Sequence, residues 1–195
     1  KIGHKGSGLK FTLAYLHRLG SDLHARSSDY HVRSETFTVR IRDVDHQMIR
    51  LRSLEGEQVW EAHITTQAGA DTWTEPWFIL REMLQNAIDE GGSYEIVSAE
   101  TLPETAGTSL QIPLAPELEQ AWTNKDRWMQ PRYPHVIGRG HPELKGLYYH
   151  GFLIFSARSK WKYSFDLTTF LKRSQLSEDR QLRNGDLHSV FQQIA

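Results

Sequence analysis

Apolar residues near the beginning of the chain recur with the period of an α-helix. They lie three or four residues apart, at Leu9, Leu13, Leu16 and Leu19. The pattern stops at Gly20, a residue type that commonly ends helices. The spacing therefore predicts a helix that follows directly on a glycine-rich loop.

From residue 35 to residue 66 the pattern changes to an alternation of apolar and polar residues. A period of two is typical of β-strands with one covered face. The alternation predicts two hairpins, with turns near residues 43–46 and 55–57. The small and polar residues from Gln67 to Trp73 predict a loop.

A second helix is predicted over residues 76–90. Its apolar positions follow the i, i+3, i+4, i+7, i+8 pattern and are Leu80, Met83, Leu84, Ala87 and Ile88. Thr74 can cap this helix, and Pro76 has no N–H that needs a partner in the first turn. Gly91 and Gly92 end it.

The rest of the chain predicts strands over residues 94–99 and 109–114, a helix over 116–129 and a buried strand over 147–155. The charged tail, residues 172–195, is expected to be peripheral and to end in a short helix. Irregular alternation of strands and helices indicates an α+β fold. We expect a two-layer α/β sandwich whose mixed, mostly antiparallel sheet has helices on one face.

Composition narrows the classes of function. The 195 residues contain no cysteine and carry a formal net charge of −1, which excludes disulfides, thiolate metal sites and a cysteine nucleophile. The length suggests one domain over residues 1–195. Lys1 stands where an initiator Met is expected, which suggests a missing N-terminal segment. There is no apolar run near 18 residues, so we expect no membrane span.

Three polar residues of the second predicted helix share one face. Glu82, Asn86 and Asp89 are spaced i, i+4 and i+7. A carboxylate can activate water and an amide oxygen can bind Mg²⁺, so the stripe suits Mg²⁺-dependent phosphate chemistry. The alternative is an ordinary solvated helix face, although the stripe has no lysine to pair with its carboxylates.

A glycine-rich segment with G-x-x-G-x-G spacing, Gly3 to Gly8, opens directly into the first predicted helix. Glycines allow close approach of the backbone to phosphates, and the helix N-terminus supplies free N–H groups. Lys5 and Lys10 would add positive charge. The segment is not a P-loop, because Leu9 stands where that motif requires lysine. The alternative is a purely structural turn.

Together these segments resemble the motifs of the GHKL (Bergerat-fold) ATPase superfamily. Residues 81–90 match its N-box, E-x-x-x-N-A-x-D, and residues 3–8 resemble its ATP-lid motif. The resemblance implies a Bergerat-like fold that binds ATP with Mg²⁺ and hydrolyses it slowly, as a conformational or dimerisation switch.

The resemblance also implies roles for single residues. Glu82 would be the general base, Asn86 the Mg²⁺ ligand, and Asp89 would line the nucleotide pocket. The residues expected to wrap the phosphates are Gly3, His4, Lys5, Gly6, Ser7, Gly8, Leu9 and Lys10.

The order of the motifs departs from that of the superfamily. The lid motif precedes the N-box here, and no D-x-G-x-G motif occurs in the chain. A circular permutation would explain the order and would place the adenine-binding Asp upstream of Lys1. The expected partners are ATP and a homodimer or protein client, in the cytoplasm.

Two alternatives to an ATPase remain open from the sequence. One is a degenerate, non-catalytic interaction domain of the same superfamily. The other is a nucleic-acid-binding module that uses four arginines expected on one face of the hairpin, Arg40, Arg42, Arg50 and Arg52, although a solvated face is the simpler interpretation. Asp43, Asp45 and His46 are interpreted as turn residues, and His150 as the end of a strand.

Overall fold

In the computed structural model the chain divides into two compact units, Lys1–Gln120 and Ala121–Ala195. The single domain expected over residues 1–195 stays a prediction. The residues that the structure describes are 7–27, 30–98, 107–129, 136–137, 146–156, 164–168, 171, 176, 182 and 192.

The first unit contains the two helices that the sequence predicts, with four strands between them. Helix α1 spans Ser7–Arg18 and helix α2 spans Trp77–Asp89. Gly91 follows α2 with φ +74°, a conformation that suits glycine at a helix C-terminus. The predicted Thr74 cap does not form, because α2 begins without a side-chain cap.

Five strands of the first unit form one antiparallel sheet in the order β4-β3-β2-β1-β5. The strands are β1 His24–Ser27, β2 Tyr30–Ile41, β3 Val44–Ser53, β4 Val59–Thr65 and β5 Ser109–Gln111. Both predicted hairpins are confirmed. The first turn lies slightly earlier than expected, at Arg42 and Asp43, because both adopt the positive φ that a two-residue hairpin turn requires.

Helix α1 covers one face of this sheet. The hydroxyl of Ser34 on β2 lies 3.0 Å from the Nε2 of His17 and accepts a hydrogen bond from the Leu23 amide. Arg18 donates to the carbonyl oxygen of Thr66, just beyond β4. Helix α2 packs against α1. This unit therefore has the α+β composition and antiparallel sheet that the sequence predicts.

The four arginines of the predicted hairpin do not form one surface. Residues that pair directly across an antiparallel ladder share a face, and Arg50 pairs with Glu35 whereas Arg40 pairs with Asp45. Glu35 and Arg40 are five positions apart on β2, so alternation places them on opposite faces. Arg42 lies in the turn. The predicted arginine face is therefore wrong.

Glu35 instead anchors an ion-pair cluster on the sheet face opposite Ser34. Arg52 donates to both of its carboxylate oxygens at 2.8–3.0 Å, and Arg50 donates to Oε1 at 2.5 Å. The hydrogen bonds from Arg52 and, to a smaller extent, the one from Arg50 lower the pKa of Glu35 below its ordinary value of 4.5. Such a carboxylate stabilises the fold above that ordinary value and loses its contribution as the pH falls through the lowered pKa.

Replacing Glu35 with Gln is expected to reduce the free energy of unfolding at pH 7 by up to about 1 kcal/mol. Because the carboxylate is protonated in both states at very low pH, the difference from wild type should shrink as the pH falls below about 4.5. Urea unfolding at pH 7, 5 and 3 measures it. Glu57→Gln, in an exposed turn, is the control, and a pH-independent loss would contradict the prediction.

Two predictions beyond α2 need correction. Residues 94–98 do not form a strand, and Tyr94, Ile96 and Val97 are exposed, because residue type alone does not decide whether a strand forms. Ala99, the last residue of the predicted strand, lies outside the described residues. The predicted strand 109–114 is shorter than expected and ends before Pro113, which has no N–H to donate. Likewise, α3 spans only Pro116–Thr123 and is followed by a 3₁₀ turn, Lys125–Arg127.

The second unit contains a mixed sheet in the order β6-β9-β7-β8. Its strands are β6 Val136–Ile137, β7 Gly146–Tyr149, β8 Phe152–Ser156 and β9 Ser164–Asp166. The apolar run 147–155 is therefore a hairpin, not the single strand predicted. His150 and Gly151 form its turn with positive φ values of 53° and 81°, which places His150 at a strand end as expected.

The core of the second unit gathers residues from distant parts of the chain. The described tail residues Leu176 and Leu182 are part of it and pair with each other through an isolated β-bridge. Its buried members are Leu147, Tyr149, Ile154, Leu167, Leu171, Leu176 and Leu182. The predicted short helix near the end of the chain lies largely outside the described residues.

Candidate functional site

Two of the three residues of the polar stripe of α2 are buried. Glu82 is only 4% exposed and Asn86 only 7%. The alternative of a solvated helix face is therefore wrong for these two residues. Burial of a carboxylate carries a large desolvation cost, and proteins retain such groups mainly where the surroundings or a function compensate.

Glu82 and Asn86 contact each other directly. The Nδ2 of Asn86 donates a hydrogen bond of 3.1 Å to the Oε1 of Glu82, one turn earlier on the helix. This orientation turns the nitrogen of the Asn86 amide, rather than its oxygen, toward the carboxylate.

The N-terminus of α1 meets this pair. Gly8, in the first turn of α1, lies so close to Glu82 that a Cβ at this position would overlap the carboxylate. Only glycine allows this approach without displacement of the carboxylate. The structure thus brings together the last glycine of the G-x-x-G-x-G segment and the first residue of the E-x-x-x-N-A-x-D segment, which are far apart in sequence.

Helices α1 and α2 run antiparallel. Gly8, at the beginning of α1, contacts Glu82 near the middle of α2. Tyr15, two turns later on α1, donates a hydrogen bond of 2.9 Å to the Thr74 carbonyl just before α2. As α1 advances, its contacts move toward the beginning of α2. Glu82 therefore lies level with the N-terminal end of α1, where free N–H groups and the positive end of the helix dipole are found, and Asn86 lies one turn further along α2.

The other predicted site residues are placed as follows. Gly3, His4, Lys5 and Gly6 lie outside the described residues. Ser7, Gly8, Leu9 and Lys10 belong to α1 itself rather than to a loop before it, and Lys10 is exposed. Asp89 is also exposed, at the end of α2. The structure therefore joins Gly8, Glu82 and Asn86, and leaves Asp89 and Lys10 at the surface.

Two further polar residues of α2, Arg81 and Gln85, are buried and were not predicted. Arg81 is fully buried, with its guanidinium carbon 5.0 Å and 4.9 Å from the ring centroids of Trp77 and Phe78. Aromatic residues at i−4 and i−3 were the signal for this cation–π contact. Gln85 is 1% exposed and stands three residues after Glu82, so a complete helical wheel would have placed it beside the stripe.

Metal ligation is limited among the described residues. They contain no group of three or more His, Asp or Glu side chains arranged to hold a metal ion. Asp43 is exposed in the β2–β3 turn and forms an ion pair with Arg40, in agreement with its interpretation as a turn residue. The interpretation of Asp45 and His46 as turn residues is wrong, because they lie in β3 and pair with β2. The carboxylate and amide that lie together in α2 are those of Glu82 and Asn86.

No protein-family model, curated protein or solved structure matches this chain. Within the described part of the chain, every helix is too short or too polar to cross a lipid bilayer.

Proposed function

We propose that this chain is a GHKL-type domain that binds ATP with Mg²⁺ and hydrolyses it slowly, with a Bergerat-like fold and a permuted motif order. The observation that carries the proposal is the contact of Gly8 with the buried carboxylate of Glu82, to which the buried Asn86 donates a hydrogen bond. Two segments that separately resemble motifs of the same superfamily are in contact through Gly8 and Glu82. The local sequence of neither segment requires this contact.

The chemistry of each group supports this proposal. The N-terminus of α1 offers backbone N–H groups to an anionic phosphate, and Gly8 keeps that end of the helix close to Glu82. Glu82 would accept a proton from the attacking water, and the Asn86 oxygen would hold Mg²⁺. When bound, Mg²⁺ would neutralise charge on the phosphate oxygens.

Burial strengthens the proposed role of the Glu82 carboxylate. A base that is excluded from bulk water keeps a fixed orientation and interacts more strongly with developing charge than an exposed one. The hydrogen bond from Asn86 holds one carboxylate oxygen in place. We infer that ATP turnover would drive a conformational change or dimerisation, since slow hydrolysis suits a switch.

The proposal predicts that Mg²⁺ and ATP together raise the melting temperature. At 100 times the Kd the shift should be roughly 5–10 °C, because binding to the folded state alone stabilises it by mass action. Asn86→Ala should lose most of this shift, while Asn124→Ala, at an exposed position, should keep it. Differential scanning calorimetry with ATP alone, Mg²⁺ alone and both measures the effect.

The absence of any shift in wild type with millimolar Mg²⁺ and ATP would contradict the proposed function. That result would favour a non-catalytic interaction domain of the same superfamily. An equal shift in Asn86→Ala and wild type would instead show that ATP binds without the proposed metal ligand.

A further inference from the structure

Gln85 is a buried amide without hydrogen-bond partners among the described residues. It is 1% exposed, and neither its Nε2 nor its Oε1 has a partner there. A single unpartnered hydroxyl, such as that of buried Thr12, leaves fewer hydrogen bonds unmade. A primary amide can form as many as four hydrogen bonds, so burial of Gln85 without partners leaves more hydrogen bonds unmade than burial of a hydroxyl.

The position of Gln85 connects this deficit to the proposed site. On the helical wheel it lies about 60° from Glu82 and about 100° from Asn86, within one face of α2. It is one turn, about 4.5 Å, further along α2 than Glu82. Because Gly8 of α1 contacts Glu82, Gln85 lies within about one helical turn of the level of the N-terminal end of α1, where a phosphate would bind under the proposed function.

An unsatisfied buried amide costs the protein stability unless something else satisfies it. A methionine or leucine of similar volume would fill the same space without that cost. The unpartnered amide therefore lowers the stability of the ligand-free fold, and it can form hydrogen bonds with a bound ligand. Polar groups of this kind are characteristic of ligand-binding sites.

We propose that Gln85 contacts the phosphate end of the bound nucleotide, an inference that rests on the proposed ATP-binding function. Its amide N–H groups donate to a phosphate oxygen, and its carbonyl oxygen accepts from water in the hydration shell of the ligand. Gln85 is therefore a binding residue that the N-box pattern does not specify, because it occupies one of the variable positions of E-x-x-x-N-A-x-D.

The test compares ligand-free stability with nucleotide affinity in Gln85→Met. The melting temperature without ligand should rise by roughly 2–8 °C, because an unsatisfied buried amide is replaced by an apolar side chain of similar length. The affinity for Mg²⁺ and a non-hydrolysable ATP analogue, measured by isothermal titration calorimetry, should fall by about 10-fold or more. Opposite changes in the two quantities are the signature of a ligand-directed group.

Gln58→Leu is the matched control at an exposed position and should change neither quantity appreciably. Gln85→Leu is the second variant if Gln85→Met folds poorly. A lower melting temperature with unchanged affinity, or failure of both variants to fold, would show that Gln85 supports the fold and would overturn the inference.

The two proposals fail in distinguishable ways. If wild type binds the analogue and Gln85→Met binds it equally well, the role of Gln85 is wrong and the ATP-binding function stands. If wild type does not bind the analogue with Mg²⁺, both are overturned.

Discussion

Replacing Glu82 with Gln is expected to lower the rate of ATP hydrolysis by about 10²–10⁴-fold, the usual contribution of a general base. Mg²⁺–ATP binding should remain within a few-fold of wild type, because Gln keeps the shape of the side chain and an oxygen that accepts from Asn86. The difference between turnover and binding distinguishes a base from a residue that only holds the ligand. Single-turnover hydrolysis and equilibrium titration together measure it.

Glu90→Gln is the appropriate control, since Glu90 follows α2 directly but is exposed. It should hydrolyse ATP at the wild-type rate. Undiminished turnover in Glu82→Gln would eliminate this carboxylate as the base. A parallel loss of binding and turnover would assign Glu82 to ligand binding instead.

Gly8→Ala is expected to lower the rate of hydrolysis by about 100-fold, because the added methyl group overlaps the Glu82 carboxylate and forces it to move. The helix itself would favour alanine over glycine by roughly 0.5–1 kcal/mol. Since the carboxylate is the flexible end of its side chain, the strain should appear mainly as a displaced base. Steady-state hydrolysis and thermal unfolding separate the two effects.

Gly107→Ala is the control, because a Cβ there meets nothing within 4 Å and its φ is not in the left-handed region. In a Glu82→Gln background, Gly8→Ala should have little further effect on turnover, since both changes remove the same positioned carboxylate. Independent, multiplying losses would mean that Gly8 acts on hydrolysis by another route. If Gly8→Ala hydrolyses ATP at the wild-type rate, the contact between Gly8 and Glu82 does not contribute to hydrolysis.

Local patterns predicted most elements of the first unit correctly. The helical period predicted α1 and α2, and the alternation predicted the β2–β3–β4 hairpins, because these periods follow from backbone geometry. Predictions failed where the result depended on a turn or a distant partner. His150 and Gly151 turn the run 147–155 back on itself, and residues 94–98 do not form a strand despite their apolar composition.

The sequence predicted which residues of α2 belong to the candidate site, but it did not predict whether they are buried or exposed. Glu82 and Asn86 could be assigned to one helix face, since spacing alone fixes which residues share a face. Whether that face contacts water or protein depends on whether another helix packs against it. The sequence therefore left open the alternative that the face is exposed to solvent. The burial of Arg81 and Gln85 was missed for the same reason.

By itself, the sequence determined the helices and hairpins of the first unit and the two segments that resemble GHKL motifs. Only the tertiary structure decided that Gly8 touches Glu82, that Glu82 and Asn86 are buried, and that Arg40 and Arg50 lie on opposite sheet faces. The physical reason is that hydrophobic periodicity determines which face of its own helix or strand a residue occupies. Which other element packs against that face depends on strand register and long-range packing, and no local pattern contains that information.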